Sequence, residues 1–337
     1  MFKVKIDTKL VLGFLLVVVI FIGAVIILWK SVGPETENGM VTIGIAGWNS
    51  DLTYGGNVEG FKDGLGENGY VEGKNVRFII ENAEGDLDVQ REIIESFVEA
   101  EVDLIYSLTT PGTLAAKKVT SKIPIVFSIV TYPVESGIIG TLESSGNNLV
   151  GTRNYISVQR QYSQFEKLYP LTKTLAFVHR TDEPNSVNQF NDMTELLAPK
   201  GVEVIDIAAV DLDDMRTQLE SSIHSIDSLF LACDTLINIG GEEVVIEISK
   251  KYKKPTLACL KGSVLKGALV GNIADFYIIG KVSGRQAALI LDGTRPSSLL
   301  TESPAEDYVI INTKTAAELE LVIHQYILDD AEELIHN

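Results

Sequence analysis

Two series of short β-branched runs, each separated by helical patterns, constrain the fold of this chain more than any other feature. The predicted strands of the first series are 41–46, 75–80, 102–107 and 123–128, and those of the second are 174–178, 202–207, 228–232 and 256–259. The predicted helices include 88–100, 158–168, 186–198, 212–223 and 239–252. Strands that alternate with single helices predict βαβ units, and therefore parallel sheets with helices on both faces.

Two series of this size predict two similar α/β lobes, which 337 residues are enough to build. In open parallel sheets, ligands bind beyond the carboxyl ends of the strands. Two such lobes facing each other would enclose a cleft lined by strand-to-helix loops. We therefore look for functional residues in the loops that follow strands.

Residues 10–29 form an uncharged, strongly apolar run of 20 residues, long enough for a helix to cross the hydrocarbon core. Lys3, Lys5 and Lys9 precede it and Lys30 alone follows closely, which predicts a cytoplasmic N-terminus, residues 1–9, with the rest outside. The polar residues 30–40 would form a tether. A cleaved signal is the alternative, although its apolar region is usually only about 7–15 residues.

The formal net charge of -18 and the lack of a basic block exclude nucleic acid as an expected partner. The chain has four His, with no H-E-x-x-H, no C-x-x-C and no P-loop motif, so neither a metal nor a cofactor is expected. No G-x-S-x-G elbow occurs, and we predict a protein that is not an enzyme. The two cysteines, Cys233 and Cys259, end neighbouring predicted strands, where a disulfide is one possibility and free thiols the other.

Hydroxyl residues follow the third and fourth predicted strands. Thr109 and Thr110 stand before Pro111 at the start of a predicted helix. The capping hydroxyl and the free backbone N–H groups there would bind a ligand carboxylate, or they would only cap the helix. Ser128 and Thr131 occupy the next loop, either as further ligand contacts or as turn residues. Both loops are expected at the cleft.

The second series has its own polar loops. Asn185 and Ser186 follow its first strand, and Asp234 with Thr235 follows its third. Asp234 has two possible roles. It pairs with a cationic group of the ligand, since a carboxylate buried without a cation is costly, or it caps the helix that follows. In the loop after the first strand of the chain, Trp48 and Asn49 either contact ligand or pack the lobe.

Several motifs in this order are similar to those of the ABC-transporter substrate-binding protein family that includes tryptophan and tyrosine binders. They are GFKDGL at 60–65, NGYVEGKNV at 68–76, NAEGD at 82–86, TPGTLAAK at 110–117, IPIVFS at 123–128, PNS at 184–186, GSV at 262–264, Gly280, Gly284 and INTKTA at 311–316. Together they extend over roughly residues 41–320. The resemblance implies a type I periplasmic-binding-protein fold, in which two Rossmann-like lobes are joined by three crossovers and close on a ligand.

Carried onto this chain, the resemblance places lobe 1 at 41–151 and 273–299, and lobe 2 at 152–272 and 300–325. The acidic tail, residues 326–337, is expected to fray. The family pattern also implies that Asp234 pairs with a ligand ammonium and that Asp275 binds ligand or holds the hinge. Tyr132 stands where many members have Asp, so the identity of the ligand is not inherited.

The resemblance implies an extracellular solute-binding protein of an ABC importer, closing on a small polar molecule such as an amino acid. Its partners would be a permease with a separate ATPase. The single-pass anchor in the cell membrane, residues 10–29, is predicted from the apolar run itself and stands where the family usually has a lipid anchor or a cleaved signal. Two alternatives remain open: a sensory receptor ectodomain that signals through a membrane partner, and a sugar or nucleoside binder of the same fold. In the last case stacking aromatic residues would be needed and Asp234 would not.

Overall fold

The computed structural model describes residues 39–50, 52–303 and 308–336. Within them, one sheet has five strands in the order β2-β1-β3-β4-β5. These strands are β1 Val41–Gly47, β2 Val76–Asn82, β3 Leu104–Leu108, β4 Ile125–Ser128 and β5 Leu149–Thr152. The helices that pack on this sheet are α1 Leu52–Glu67, α2 Leu87–Glu99, α3 Thr110–Val119 and, from much later in the chain, α9 Phe276–Leu291. This sheet and its helices are lobe 1.

The second sheet, with its helices, is lobe 2, and in the described chain it has seven strands in the order β12-β11-β10-β9-β8-β6-β7. The strands are β6 Thr174–Arg180, β7 Glu203–Ala209, β8 Ser228–Leu231, β9 Thr256–Ala258, β10 Val270–Ile273, β11 Tyr308–Asn312 and β12 Glu333–Ile335. Its helices are α4 Val158–Leu168, α5 Pro184–Leu197, α6 Leu212–Ser222, α7 Glu242–Tyr252, α8 Lys261–Lys266, α10 Thr313–Glu318 and α11 Gln325–Asp329. The two predicted α/β lobes are confirmed.

In lobe 1, β3 pairs in parallel with β1 and β4, and β4 with β5. In lobe 2, β6 pairs in parallel with β7 and β8, β8 with β9, and β9 with β10. Two strands depart from the prediction of parallel sheets, because β11 runs antiparallel to β10 and β12, which is parallel to β11, has the same direction as β11. The reason is the path of the chain. It leaves lobe 2 at the carboxyl end of β10, forms α9 in lobe 1, and re-enters lobe 2 from the same side.

Helices cover both faces of the lobe 2 sheet, as the alternation of side chains along β6 shows. Ala176 and Val178 belong to one buried apolar cluster, with α6 and α7. Leu175 and Phe177 belong to another, with α4 and α5. Successive residues of a strand point to opposite faces, so each face of this strand is buried against its own layer of helices.

A close crossing of α1 and α9 joins distant parts of the chain in lobe 1. Gly60 and Gly64 on α1 face the carbonyl oxygens of Tyr277 and Lys281, and a Cβ on either glycine would overlap them. The reverse holds on α9, where a Cβ on Gly280 would meet Asn57 O and one on Gly284 would meet Phe61 O. The two backbones approach to a distance that only glycine allows.

The C-terminal residues correct one expectation from the sequence. Instead of fraying, the acidic tail forms α11 and then β12, which pairs in parallel with β11 at the edge of the lobe 2 sheet. Ile327 is 3% exposed and packs in the lobe 2 core. The tail is ordered because apolar side chains among its acidic residues find a buried surface.

The predicted anchor, residues 10–29, and its flanks, 1–9 and 30–38, lie outside the described residues. Among the residues that are described, no helix has the length and apolar character needed to cross a bilayer.

A disulfide joins the ends of two neighbouring strands in lobe 2. Cys233 follows β8 and Cys259 follows β9, and their Cα atoms are 5.3 Å apart, within the usual range for a disulfide. Both residues are buried. Of the two possibilities left open by the sequence, the structure has the bonded one.

We expect Gly284→Ala to lower the free energy of unfolding by about 1–3 kcal/mol, because the added methyl group forces two packed backbones apart. The measurement is a urea unfolding curve. Gly66→Ala is the matched control on α1, since no atom lies within 4 Å of where its Cβ would be. The control should be neutral or more stable, by at most about 1 kcal/mol. Equal effects of the two substitutions would contradict the role of the close crossing.

Thiol titration of the unfolded, unreduced chain should find no free thiol, and two after reduction. Replacing both cysteines with alanine should lower the free energy of unfolding by roughly 3 kcal/mol, the value typical of a closed loop of this length. Two thiols before reduction would show that the bond does not form.

Candidate ligand-binding site

A small cavity lies between the lobes at the carboxyl ends of β3, β4, β6 and β8. Its volume is about 20 Å³, room for about one water molecule. It is lined by Tyr54, Thr109, Thr110, Ile129, Asn154, Glu183, Asn185, Cys233, Asp234, Thr235 and Leu260. A groove of about 700 Å³ shares Glu183 and Thr235 with it and reaches Trp48 and Pro111. The loops predicted to form a cleft therefore do meet.

Two carboxylates from lobe 2 line this cavity, and both are buried. Asp234 is 5% exposed and Glu183 is 4% exposed. The Asp234 carboxylate accepts hydrogen bonds from the backbone N–H groups of Arg180 and Ile237, each at 2.8 Å. Asp234 therefore caps the following turn, as one interpretation of the sequence had it, while it also faces the cavity.

The Glu183 carboxylate is held by Thr235, the residue after Asp234. It accepts the backbone N–H of Thr235 at 3.3 Å and also the Thr235 hydroxyl. The Arg180 guanidinium bonds to Asp182, with Nε 2.6 Å from Asp182 Oδ1 and 3.9 Å from Glu183 Oε1. The only arginine beside the cavity in the described chain is thus bonded mainly to a different carboxylate.

Burial, with the negative charge of Glu183 as the second cause, raises the pKa of Asp234 to about 8, although the two backbone N–H groups and the Arg180 charge act to lower it. Burial also raises the pKa of Glu183, despite its bonds to Thr235 and the nearby Arg180. Both shifts have the same main cause, which is the burial of the two acidic groups, and the one arginine charge that acts on both, Arg180, only partly opposes it.

Asn185 supplies a third acceptor. Its Nδ2 donates to the Cys233 carbonyl at 2.7 Å, whereas its Oδ1 is buried and has no hydrogen-bond partner among the described residues. The residue is 4% exposed and lines the same cavity. A buried acceptor without a partner costs free energy that a donor on a ligand would recover.

Lobe 1 faces these acceptors with two strained turns. Thr109 has φ 68° and Ile129 has φ 58°, and they directly follow β3 and β4. Positive φ is rare for β-branched residues, and such residues cluster at ligand-binding sites because the surrounding structure must hold them. Both line the cavity, so the strain marks the same place as the buried acids.

The start of α3 offers fewer free amides than the sequence suggested. The Thr109 hydroxyl accepts the N–H of Gly112 at 3.3 Å, and the Thr109 carbonyl accepts that of Thr113 at 3.0 Å. Pro111 has no N–H. The contribution of this loop to a ligand would therefore come chiefly from Thr109 and Thr110 themselves, which both line the cavity.

Two other predicted residues lie behind the cavity wall. Ser128 is buried and accepts Asn57 Nδ2 at 3.0 Å, while Asn57 in turn accepts the Tyr106 hydroxyl. Thr131 donates to Asn154 Oδ1 at 3.0 Å, and Asn154 lines the cavity. Both hydroxyls are placed to support the site rather than to line it.

The remaining candidates are spread around the cleft. Trp48 is 2% exposed and lines the larger groove, with no hydrogen-bond partner for its Nε1. Asn49 donates to Asn238 Oδ1 at 2.8 Å, which links lobe 1 to lobe 2. Asp275 caps α9 by accepting the N–H of Ile278 and lines a separate groove of about 340 Å³. None of the three lines the small cavity.

Ser186 belongs to a buried hydrogen-bond chain of Ser, His and Asp that the sequence did not reveal. His179 Nδ1 is 3.1 Å from Ser186 Oγ, and Nε2 is 2.8 Å from Asp206 Oδ1. The Ser186 hydroxyl is 0% exposed and donates to the Arg180 carbonyl. A catalytic nucleophile must be able to reach a substrate. These three hydrogen-bonded side chains therefore hold the β6–α5 turn and are not a catalytic triad.

Tyr132, singled out in the sequence, joins the two lobes. Its hydroxyl donates to Asp192 Oδ2 on α5 at 2.6 Å, and its ring packs edge-on against Tyr155. Burial and this bond raise its pKa, so the hydroxyl stays protonated and remains a donor. The phenol contacts the opposite lobe rather than the cavity.

Glu183 is the main residue that sequence reasoning missed. The signal was present, because an acidic residue stands between the end of β6 and Pro184, at the cap position of α5.

Within the described residues, no group of three or more His, Cys, Asp or Glu side chains is arranged to hold a metal ion.

Known proteins match both the sequence and this architecture. A model of the ABC transporter substrate binding protein family matches residues 50–335. The tyrosine-binding protein of Clostridioides difficile strain R20291 is 30% identical over 263 residues, which cover 78% of this chain and 76% of that protein. The two lobes with their cleft are thus those of a known family of binding proteins.

Solved structures agree. An ABC domain in complex with L-Trp from Streptococcus pneumonia has a TM-score of 0.84 at 23% identity, covering 88% of this chain and all (100%) of that one. A ligand-free, open substrate-binding protein with adhesive properties from Clostridium difficile has a TM-score of 0.70 at 26% identity, with the same coverage. The chain belongs to the ABC transporter substrate-binding protein family, whose members bind ligands without catalysing reactions.

Proposed function

We propose that this chain is the membrane-anchored binding component of an ABC importer and that it captures a free α-amino acid between its lobes. The observation that carries the proposal is the meeting of three buried acceptors from lobe 2 with hydroxyl residues from lobe 1. Asp234, Glu183 and Asn185 are on one side of the cavity and Thr109 and Thr110 on the other. An ammonium suits the first group and a carboxylate the second.

The acid pair argues for a cationic group on the ligand. A neutral sugar or nucleoside would bring no cation to this acid pair, whose nearby arginine, Arg180, is bonded mainly to Asp182, and burial of the pair would stay costly. An ammonium donates three hydrogen bonds, which matches the number of acceptors presented by lobe 2. This favours an amino acid over the sugar and nucleoside alternatives.

The relatives support an aromatic side chain. The relative from Clostridioides difficile is named for tyrosine, and the structure from Streptococcus pneumonia contains L-Trp. In this chain the larger groove extends from Glu183 toward the buried Trp48, which gives a side chain space beyond the ammonium site. We propose tyrosine and tryptophan as the first ligands to test.

Capture requires the lobes to separate, because a cavity of about 20 Å³ is too small for an amino acid. The Tyr132–Asp192 and Asn49–Asn238 bonds cross between the lobes and would have to break on opening. Hinge motion of two lobes about connecting segments would accomplish this.

Membrane anchoring rests on the sequence alone. We propose that residues 10–29 hold the chain at the outer face of the cell membrane, next to a permease with its own ATPase. After an alkaline carbonate wash, the full-length chain should stay in the membrane pellet, and a variant lacking residues 1–30 should be released. Release of the full-length chain would contradict an integral anchor.

Ligand binding should depend on the ligand's ammonium and on Asp234. In calorimetry with the full-length chain, L-tryptophan or L-tyrosine should bind, and N-acetyl-L-tryptophan, which lacks the ammonium, should bind at least about 100-fold more weakly. Asp234→Asn should weaken binding of the free amino acid by about the same factor, because it removes the charge that faces the ammonium.

Glu195→Gln is the control, since it removes an exposed carboxylate of α5 that lines neither the small cavity nor the larger groove. It should bind like the wild type. Because Asp234 also caps a turn, Glu183→Gln serves as a second variant and circular dichroism checks that each is folded. Binding of glucose or adenosine alone, or of N-acetyl-L-tryptophan as tightly as L-tryptophan, would overturn the amino-acid assignment.

A further inference from the structure

The two buried carboxylates lie on adjoining loops that are tied to each other. Thr235, which follows Asp234, donates both its N–H and its hydroxyl to Glu183. Arg180 donates its backbone N–H to Asp234, and its guanidinium lies 3.9 Å from Glu183. The geometry keeps two acidic groups in one water-poor cavity, with no freedom to move apart.

The charged and titratable groups around this pair can be named element by element. From the β6–α5 loop come Arg180 and Asp182, which are bonded to each other. From α1 comes Tyr54. The lining residues from the other loops carry no charge. They come from the loops after β3, β4 and β9 and from the crossover after β5, and they are Thr109, Thr110, Ile129, Asn154 and Leu260. Lys261, the next residue, pairs with Glu333.

At the small cavity, one partly engaged guanidinium therefore faces three carboxylates: Asp182, Glu183 and Asp234. The larger groove, which Glu183 also lines, adds Asp86, Asp88 and Arg91 from the start of α2 and Lys118 from α3, and Arg91 is paired with Asp88. Two like charges held together in a low-dielectric site cannot both ionise readily, so the pair retains a proton. Asn185 adds an independent sign that a donor belongs here, because its buried Oδ1 lacks one. A cluster that already had its full set of donors would leave no such acceptor.

We propose that Glu183 and Asp234 share one proton in the ligand-free protein and that the ammonium of the ligand displaces it, so that capture exchanges a cation for a proton. The inference rests on the proposed function for its ligand. The step balances: the protonated carboxyl pair and the ammonium ion become a carboxylate pair with bound ammonium and one H⁺ released to solvent. The net charge at the acid pair is unchanged by the exchange, which removes most of the cost of burying the ammonium there.

The upward shift of the Asp234 pKa is consistent with this exchange. Burial, together with the negative charge of the partner, raises the pKa of Asp234 to about 8, above neutral pH. Below that value the site holds its proton and the ligand must compete with it, and above it the proton is already gone. Affinity should therefore rise with pH, by about tenfold per unit for one proton released, and level off above about pH 8.

The test is calorimetry of L-tryptophan binding to the full-length chain at pH 6.5 in two buffers with different heats of ionisation. We expect about one proton released per ligand bound, and an apparent Kd that falls about 100-fold between pH 5.5 and 7.5. Glu195→Gln should release the same proton. Glu183→Gln should release none and should lose the pH dependence. Tight binding without proton release would overturn the exchange while leaving the amino-acid function intact.

A ligand-free measurement keeps the exchange testable even if L-tryptophan does not bind. The infrared spectrum of the folded chain at pH 6.5 should contain the carbonyl band of a protonated carboxyl group. The band should be lost in Glu183→Gln or Asp234→Asn and retained in Glu195→Gln. Absence of the band from the wild type would overturn the shared proton, whatever the identity of the ligand.

Discussion

The backbone contact between α1 and α9 is the constraint on which the rest of the structure depends. Four glycines, Gly60, Gly64, Gly280 and Gly284, let two helices separated by more than two hundred residues pack against each other's carbonyl groups. Because α9 must return to lobe 1, the chain has to leave lobe 2 after β10 and re-enter it at β11. The crossovers follow from this return, and so does the antiparallel direction of β11.

That path brings the carboxyl ends of both sheets together and gives the lobes different parts in the site. Lobe 2 presents Glu183, Asn185 and Asp234 on loops held by backbone hydrogen bonds and by the Cys233–Cys259 disulfide beneath them. Lobe 1 presents Thr110 and Thr109, the second of which has a positive φ. Acceptors of negative charge on one lobe and hydroxyl groups on the other suit a ligand with two opposite charges, which neither lobe would hold alone.

Local patterns in the sequence predicted much of the fold. The helix 158–168 has the bounds predicted for it, and the strands lie within a few residues of their predicted positions, because periodicity and strand length are local properties. Features that depend on contacts distant in sequence were missed: the order in the tail, the inter-lobe role of Tyr132, and the His179 chain that holds Ser186. Glu183 escaped notice because its importance comes from burial beside Asp234, and burial is decided by the fold.

The return of α9 also determines the order in which the protein can be completed during synthesis. Chains emerge from the ribosome at roughly 5–20 residues per second, N-terminal part first. Lobe 1 begins with β1 but lacks the partner of α1 until Phe276–Leu291 has emerged, after β6 to β10 of lobe 2 are already available. The lobe that starts the described chain is therefore finished late, and until then the glycine face of α1 is open to incorrect partners or to a chaperone.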